Sequence, residues 1–323
     1  MNLKKISRMC FIVMLCVMLA IPAYAKETIE MNVTNLDRSE IIFIDDIAYT
    51  HYSTGISMRP LHMNILVPID RSKKRHPAIL YIFGGGFIRS DVNGLMQHRL
   101  DLAERGYVVA CIEYRVAPNA KFPSAVEDAK SAVRFLRAHA DNFGIDKDKI
   151  GVMGCSAGGY LAAMLGTTNG VEGFDKGYFL DESSDVQAVV DLFGVSDLTK
   201  LGADYSEEVQ KLHRSASATE ALWVNGTTTY GGIDGGIMAN PEGAKAANPL
   251  TYISDKTAPF LLMHGSSDRL VSPSQSEILR KALDAHGIEA TRYLIKGADH
   301  IDPAWVQPEV MKIIIDFFDS HLK

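Results

Sequence analysis

The chain has 323 residues, which is enough for one large α/β domain or two small ones. Hydrophobic residues make up 47% of it, so a sizeable core can form without disulfide or metal cross-links. The formal net charge is -6 and no basic block interleaved with aromatic residues occurs, so nucleic acid is not expected as a partner.

The N-terminal segment has the pattern of an export signal. Basic residues near the start precede an apolar run at 9–20 that is too short to span a membrane. Residues 23–25, Ala-Tyr-Ala, then provide the small-x-small site that signal peptidase cleaves. We predict a signal peptide at 1–25 and a mature chain, 26–323, located in the periplasm or the medium without stable membrane insertion. The alternative is an uncleaved N-terminal anchor.

Apolar runs and helical patterns alternate along the mature chain. The runs predict strands at residues 41–44, 61–67, 78–83, 106–112, 150–154, 186–193, 259–264 and 291–295. Residues 78–83 are apolar throughout, as expected for a strand that is covered on both faces. Strands that alternate with helices indicate the α/β class, with a mostly parallel central sheet and helices on both faces.

Two helices have clear amphipathic patterns. Residues 124–140 and 308–322 repeat apolar side chains at helical spacing. Pro273 is expected at the favoured first position of a further helix. The sequence also predicts capping boxes at two helix starts, formed by Ser124 with Glu127 and by Ser272 with Gln275.

One stretch departs from the alternation of strands and helices. Residues 194–257 are long, rich in Gly, Ala and Thr, and only weakly periodic. We interpret them as an insertion in a single catalytic domain that forms a partial lid over a site at the strand ends, because long insertions in compact domains often serve as lids. A surface excursion without function is the alternative.

The strongest chemical motif is G-x-S-x-G at Gly154, Ser156 and Gly158. A predicted buried strand precedes it and a helical segment follows, which is the context that a nucleophile elbow requires. A serine on so tight a turn adopts strained backbone angles, and the flanking glycines remove side chains that would collide there. The serine oxygen would stand above a helix N-terminus, which favours developing negative charge. We therefore predict that Ser156 is a nucleophile.

A serine nucleophile needs a base, and in this architecture the acid and then the His follow the serine along the chain. Asp268 and His300 each lie a few residues beyond a predicted strand, where loops converge on the site. We expect His300 to take the proton from Ser156 and Asp268 to orient the imidazole and stabilise its cation. His264 as the base and Asp197 as the acid are the alternatives.

The attack of a serine on an ester carbonyl creates a negative oxygen, which fixed backbone N–H groups must stabilise. Losing one such donor costs about 3–4 kcal/mol. Residues 84–86 are three glycines directly after a predicted strand, where bare amides could approach a substrate, and Ala157 supplies a further N–H beside the nucleophile. A phosphate-cradling loop is the alternative, but no Lys-Ser/Thr pair follows the glycines. No cluster of His, Cys, Asp and Glu has metal-ligand spacing, so no metal is expected.

Two cysteines remain in the mature chain, Cys111 and Cys155. Export would permit a disulfide between them, but Cys111 lies in the middle of a predicted core strand and Cys155 immediately precedes Ser156. We expect both to be buried free thiols, with Cys155 as a shape element of the turn as the alternative.

These motifs resemble those of the HGGG-type esterases, the hormone-sensitive-lipase-like and feruloyl-esterase-like branch of the α/β-hydrolase superfamily. The resemblance covers nearly all of the mature chain. It rests on residues 81–87 (YIFGGGF), 114–118 (YRVAP) with Phe122-Pro123 and Glu127-Asp128, 154–159 (GCSAGG), Asp268 and His300.

The resemblance implies an α/β-hydrolase fold and the hydrolysis of carboxylic esters without a cofactor. It also implies that the oxyanion donors are Gly85, Gly86 and Ala157, and that Arg115 and Asp128 form a structural ion pair near the site.

One position departs from the family pattern, because Phe83 stands where the family usually has a histidine before the glycines. That histidine helps to hold the loop, and we expect Phe83 to hold it by packing instead. Phe87 and Trp305 are candidate pocket walls, with a role in anchoring the last helix as the alternative for Trp305.

Export together with this branch of the family suggests small-molecule or carbohydrate-linked esters as substrates, such as acetyl or feruloyl esters of plant cell-wall carbohydrate. A serine peptidase or amidase with the same residues and a non-catalytic binding protein are the alternatives.

Overall fold

The strands of the chain form a mixed sheet in the order β1-β2-β4-β3-β5-β6-β7-β8. The computed structural model describes residues 28–34, 40–69 and 75–323, so the predicted signal peptide at 1–25 lies outside the described residues. The strands are β1 (Glu40–Ser53), β2 (Met58–Ile69), β3 (His76–Ile82), β4 (Val108–Ile112), β5 (Ile145–Cys155), β6 (Val189–Leu192), β7 (Phe260–Gly265) and β8 (Ala290–Ile295). β1 and β2 pair antiparallel and β2 pairs antiparallel with β4, whereas every pairing from β4 to β8 is parallel.

The chain divides into two units, Met1–Asp37 and Arg38–Lys323. In the first unit, residues 28–34 are described; they are exposed and have no regular secondary structure. The second unit carries the sheet and every helix described below. The single catalytic domain at 26–323 stays a prediction.

Helices cover both faces of the sheet, as the alternation of patterns predicted. They are α1 (Met96–Glu104), α2 (Ser124–Ala138), α3 (Ala140–Phe143), α4 (Ala157–Thr167), α5 (Glu207–His213), α6 (Thr219–Asn225), α7 (Pro241–Ala246), α8 (Ser274–Ala285) and α9 (Pro308–Leu322). α2 and α4 pack into one apolar cluster, and α1 and α9 pack into the other. Within the described residues, no helix combines the length and apolar character needed to cross a membrane.

The central strand β3 shows why the sheet needs helices on both sides. Ala78, Leu80 and Ile82 point into one apolar cluster, whereas Ile79 and Tyr81 point into the other. Every residue of β3 is buried, which confirms the prediction that a continuously apolar run is covered on both faces. Burial of both faces fixes the sheet as the rigid base on which the loops at its ends are held.

The predicted strands are all present, with shifted ends. β6 is shorter than the predicted run at 186–193 because Val186 donates its N–H to the side chain of Asn169 instead of to a neighbouring strand. The predicted helix at 124–140 stops at Ala138, and the short α3 follows it after one residue.

Both predicted capping boxes are wrong. α2 begins at Ser124 itself, so Ser124 is not the capping residue, and the carboxylate of Glu127 accepts a hydrogen bond from Arg115 instead. Arg115, which precedes the helix by several residues, therefore binds the side chain that the local pattern assigned to the helix start.

The second capping box fails for the same reason. α8 begins at Ser274, which leaves Pro273 just before the helix and not in its first position. The amide oxygen of Gln275 accepts the backbone N–H groups of Ser196 and Asp197, and the hydroxyl of Ser272 accepts that of Asp204. These side chains therefore tie the start of α8 to the insertion that begins at residue 194.

A buried carboxyl lies in the centre of the sheet. Asp191 on β6 is 1% exposed, and its Oδ1 accepts the N–H of Gly194 at 2.8 Å. Its Oδ2 is buried without a hydrogen-bond partner among the described residues. Burial raises the pKa of Asp191 to about 7, because the charged form loses hydration that one hydrogen bond does not replace.

Asp191 is expected to make the stability of the protein depend on pH. Between the pKa of an unfolded aspartate, about 4, and the folded value of about 7, the folded state binds more protons than the unfolded state. The free energy of unfolding therefore falls as the pH rises through this window. We expect Asp191→Asn to flatten this fall, as measured by urea unfolding at several pH values. The exposed Asp284→Asn is the control, and parallel curves for wild type and Asp191→Asn would contradict the assignment.

Candidate active site

Ser156 lies on the sharp turn between β5 and α4. Its backbone angles are φ 56° and ψ -124°, a left-handed conformation that costs a residue with a side chain about 1–3 kcal/mol. Two backbone hydrogen bonds hold it, from the N–H of Ser156 to Leu192 and from the N–H of Tyr160 to Ser156, both at 2.9 Å. The strain is thus stabilised by the neighbouring strand and by the first turn of the helix.

The glycines of the motif are required by close backbone contacts. A Cβ on Gly158 would lie 1.9 Å from the carbonyl oxygen of Ile82, and one on Gly154 would lie 2.1 Å from that of Gly158. Neither position leaves room for a side chain, so α4 can dock against the end of β3 only with glycine at both. This explains the spacing of the motif around Ser156 in physical terms.

The structure brings Ser156, His300 and Asp268 into one hydrogen-bonded chain. His300 Nε2 lies 2.9 Å from Ser156 Oγ, and His300 Nδ1 lies 2.8 Å from Asp268 Oδ2. Because an ionised carboxylate can only accept, Nδ1 carries the proton, and Nε2 is then free to accept the serine hydroxyl. The three residues follow β5, β8 and β7 and meet at one edge of the sheet.

The carboxylate of Asp268 is fixed from several sides. Its Oδ1 accepts the N–H groups of Leu270 and Val271 at 2.9 and 3.0 Å. Burial alone would raise the pKa of Asp268, but hydrogen bonds from His264 and His300 outweigh burial and hold that pKa well below its usual range. Asp268 therefore stays ionised at neutral pH, as a group that stabilises an imidazolium must.

His264 lies on the other side of Asp268. Its Nε2 is 3.0 Å from the carbonyl oxygen of Val271 and 3.2 Å from Asp268 Oδ2, so this nitrogen carries a proton and donates. The alternative in which His264 is the base is wrong, because its ring contacts the acid and Ser156 is bonded to His300. The sequence did not predict that His264 contacts Asp268, although the i,i+4 spacing of these two residues could have indicated the contact.

Asp197, the alternative acid, is engaged elsewhere. Its Oδ1 accepts the N–H of Thr199 at 3.1 Å, and Oδ2 lies 3.0 Å from Lys200 Nζ. Burial would raise its pKa, but these partners lower it. Asp197 thus stabilises the turn at the start of the insertion and does not contact His300.

Trp305 supports the loop that carries His300. Its indole N–H donates to the carbonyl oxygen of Asp299 at 2.9 Å, one residue before His300. The ring of Phe193 lies between them, 4.7 Å from the imidazole centroid and 4.6 Å from the indole. Trp305 borders the cleft but is only 1% exposed, so it acts chiefly as a buried support and only secondarily as a wall.

The glycine loop lies directly against Ser156. A Cβ on Gly84 would be 2.7 Å from Ser156 Cβ, so only glycine allows the loop to approach this closely. Gly85, Gly86 and Ala157 line the same cleft as Ser156. No acceptor among the described residues takes the backbone N–H of Gly85 or Gly86, so both donors are left without a protein partner.

Phe83 holds the start of this loop by packing, as the sequence predicted. Its carbonyl oxygen accepts the hydroxyl of Tyr114 at 2.9 Å. Its ring fits against Gly94, where a Cβ would lie 2.5 Å from the ring carbons. A side-chain contact thus replaces the hydrogen bonds that a histidine at position 83 could make.

The 194–257 insertion forms part of the cleft wall. It contains the short helices α5, α6 and α7, and it contributes Val195, Leu201, His213 and Thr219 to the lining. Trp223 on α6 stacks on Phe87 with ring centroids 5.6 Å apart and planes at 8°. Phe87 is therefore a cleft residue that packs against the insertion, and the role of the insertion as a partial lid stays a prediction.

The cleft above Ser156 has a volume of about 420 Å³. Its lining is mostly apolar, and the polar side chains that reach it include Arg89, His213 and Asp302. Among the described residues, no group of three or more His, Cys, Asp and Glu side chains is placed to hold a metal ion.

The remaining predicted residues are also in place. Cys111 and Cys155 are buried free thiols, and burial raises the pKa of Cys155 to about 11. The guanidinium Nη2 of Arg115 lies 2.7 Å from Asp128 Oδ1, and the backbone N–H of Arg115 donates to Asp128 Oδ2 at 2.8 Å. This ion pair fixes the loop after β4 against α2.

Comparison with known proteins shows that the chain is similar in sequence to esterases. The BD-FAE family model matches residues 63–283. Esterase LipC of Mycobacterium tuberculosis is 30% identical over 236 residues, which are 72% of this chain and 54% of LipC. The probable carboxylic ester hydrolase LipM of the same organism is 31% identical over 204 residues, which are 62% of this chain and 43% of LipM. The chain thus spans about half the length of the curated relatives it matches.

Solved structures show the same fold. A truncated form of a carbohydrate esterase from gut microbiota has a TM-score of 0.75 at 26% identity, covering 89% of this chain and 98% of that one. A bifunctional GH43-CE protein of Bacteroides eggerthii has a TM-score of 0.70 at 27% identity, covering 87% of this chain and 38% of that one.

We expect the hydroxyl of Ser156 to react with a fluorophosphonate probe. The oxygen attacks phosphorus and fluoride leaves, because His300 can accept the hydroxyl proton. Mass spectrometry should place the adduct on Ser156, and Ser156→Ala should not react. His300→Gln should slow labelling by about 100-fold or more. The exposed Ser267→Ala is the matched control, and equal labelling of His300→Gln and wild type would contradict the geometry.

Proposed function

The chain belongs to the BD-FAE family of α/β-hydrolases, and on this basis we propose that it is a serine carboxylic ester hydrolase. The observation that carries the proposal is the hydrogen-bonded chain from Ser156 through His300 to Asp268, which lies beside a glycine loop with unused N–H donors. Such an arrangement has the parts that acyl transfer needs.

The first half of the reaction forms an acyl-enzyme. Ser156 Oγ attacks the ester carbonyl while His300 Nε2 takes its proton, and the carbonyl oxygen becomes negative. The N–H groups of Gly85, Gly86 and Ala157 stabilise this oxygen. His300 then gives the proton to the leaving alcohol, and the bond between the carbonyl carbon and that alcohol breaks.

The second half releases the acid. His300 accepts a proton from a water molecule, the hydroxide oxygen attacks the acyl carbon, and the proton returns to Ser156 as the ester bond breaks. Asp268 remains ionised throughout and stabilises the imidazolium in both halves. The residues require no cofactor for either step.

We further propose that the substrates are esters linked to carbohydrate, with acetyl and feruloyl groups as candidates. This is supported by the names of structural neighbours, which include a carbohydrate esterase and a bifunctional GH43-CE protein. A cleft of about 420 Å³ with a mostly apolar lining is of the size that suits a small acyl group together with part of its alcohol.

A peptidase or amidase is less well supported. It would need a pocket for a charged amine or a peptide, and the carboxylate of Asp302 in the cleft lining, which could bind an amine, already caps a short helical turn by accepting the N–H of Ala304. A non-catalytic binding role does not explain why Ser156, His300 and Asp268 are aligned.

We expect Ser156→Ala to abolish hydrolysis of 4-nitrophenyl acetate. Asp268→Asn should lower kcat by roughly 10,000-fold, because an asparagine does not stabilise the imidazolium and favours the wrong tautomer. Asp197→Asn is the matched control, because it changes the alternative acid in the same way, and it should retain most of the activity. An active Ser156→Ala enzyme, or equal losses in both Asp→Asn variants, would overturn the proposal.

We also propose that the protein is exported, in keeping with the signal-like pattern of residues 1–25. The full chain expressed in a bacterial host should appear outside the cytoplasm, and N-terminal sequencing should begin at Lys26. Ala25→Arg should leave the precursor uncleaved. A cytoplasmic protein that keeps residue 1 would show the proposal to be wrong.

A further inference from the structure

A second histidine reaches the cleft from the insertion. His213, the last residue of α5, lines the same cleft as Ser156 and has a side chain that is 24% exposed. Its Nδ1 lies 2.8 Å from Oε1 of Glu220 on α6, whose side chain is only 2% exposed. His213, which contacts Glu220, is therefore a polar side chain in a cleft lining that is otherwise mostly apolar.

The imidazole of His213 is fixed in orientation. Glu220 holds Nδ1, and the ring lies nearly parallel to that of Tyr205 with centroids 6.4 Å apart. Gly202 leaves space for the ring edge, since a Cβ there would lie 2.4 Å from His213 Cδ2. A histidine held by a buried carboxylate, an aromatic ring and a glycine gap is pre-organised for a ligand.

The other ring nitrogen of His213 is left without a protein partner. Because the carboxylate of Glu220 only accepts, Nδ1 carries a proton, and His213 Nε2 has no hydrogen-bond partner among the described residues. A buried carboxylate is costly unless it is paired. Glu220 is buried and fixes the orientation of the His213 ring. This arrangement indicates that the other nitrogen of the ring, Nε2, binds a group of the substrate.

We propose that His213, oriented by Glu220, is a specificity-determining residue that binds a hydroxyl group of the ester substrate through Nε2. The inference rests on the proposed esterase function and deepens it by naming a polar substrate class. A hydroxyl suits this nitrogen because it donates to a neutral imidazole and accepts from a protonated one. The hydroxyl belongs either to the sugar alcohol or to the aromatic ring of the acyl group.

Two pairs of substrates distinguish these sources. The first pair is methyl 2-O-acetyl-β-xylopyranoside and its 3,4-di-O-methyl derivative, and the second is methyl ferulate and methyl 3,4-dimethoxycinnamate. Within one pair, wild type should prefer the free hydroxyl by roughly 10-fold in kcat/KM, the effect of one hydrogen bond. A preference in the first pair places the hydroxyl on the alcohol, and one in the second pair places it on the acyl group.

His213→Phe should remove this preference, because phenylalanine keeps the stacking on Tyr205 but has no ring nitrogen. Glu220→Gln should retain most of it, since its amide oxygen can still accept from Nδ1. His286→Phe, the same change at an exposed site, is the matched control. A ratio within each pair is the readout, because a general loss of structure lowers both rates together and leaves the ratio unchanged.

Hydrolysis of 4-nitrophenyl acetate by wild type reports the esterase function separately. If wild type hydrolyses this ester but shows no preference within either pair, the subsite is overturned and the esterase proposal stands. The subsite is equally overturned if His213→Phe keeps the wild-type ratio. If wild type hydrolyses none of the esters, both proposals fail.

Discussion

The hydrogen bond between His300 Nε2 and Ser156 Oγ, 2.9 Å long, is the contact on which the rest of the site depends. It joins loops that follow different strands, so it exists only because the parallel sheet brings their carboxyl ends to one edge. On one side it relies on the strained backbone of Ser156, which glycines at 154 and 158 make possible. On the other it relies on Asp268, which holds the imidazole ring.

Two buried aspartates show how hydrogen bonding sets the charge of a buried carboxyl group in this fold. Asp268 and Asp191 are both almost fully buried, yet the pKa of Asp268 lies below its usual range and that of Asp191 is raised to about 7. Asp268 receives hydrogen bonds from two histidines and two backbone N–H groups, whereas Asp191 receives one from Gly194. Burial alone therefore does not decide ionisation here, because hydrogen-bond donors and the charge of His300 also act on the pKa of Asp268.

Features encoded locally could be predicted from the sequence. The buried strands, the elbow at Ser156 and the positions of Asp268 and His300 follow from apolar runs and glycine spacing, which act over a few residues. Both capping boxes failed because their side chains bond to distant partners. The pairings of His264 with Asp268 and of His213 with Glu220 could not be predicted, because the sequence motifs cover the loops of Ser156 and His300 and not the side chains that pair outside them.

The insertion is also bound to the acid itself. The hydroxyl of Tyr205, which precedes α5, donates to the backbone carbonyl of Asp268 at 3.0 Å, and the ring of the same tyrosine stacks on His213. Outward displacement of this part of the insertion would break that bond and loosen the turn that holds the carboxylate. The wall of the cleft and the turn that holds Asp268 are thus mechanically coupled through one side chain.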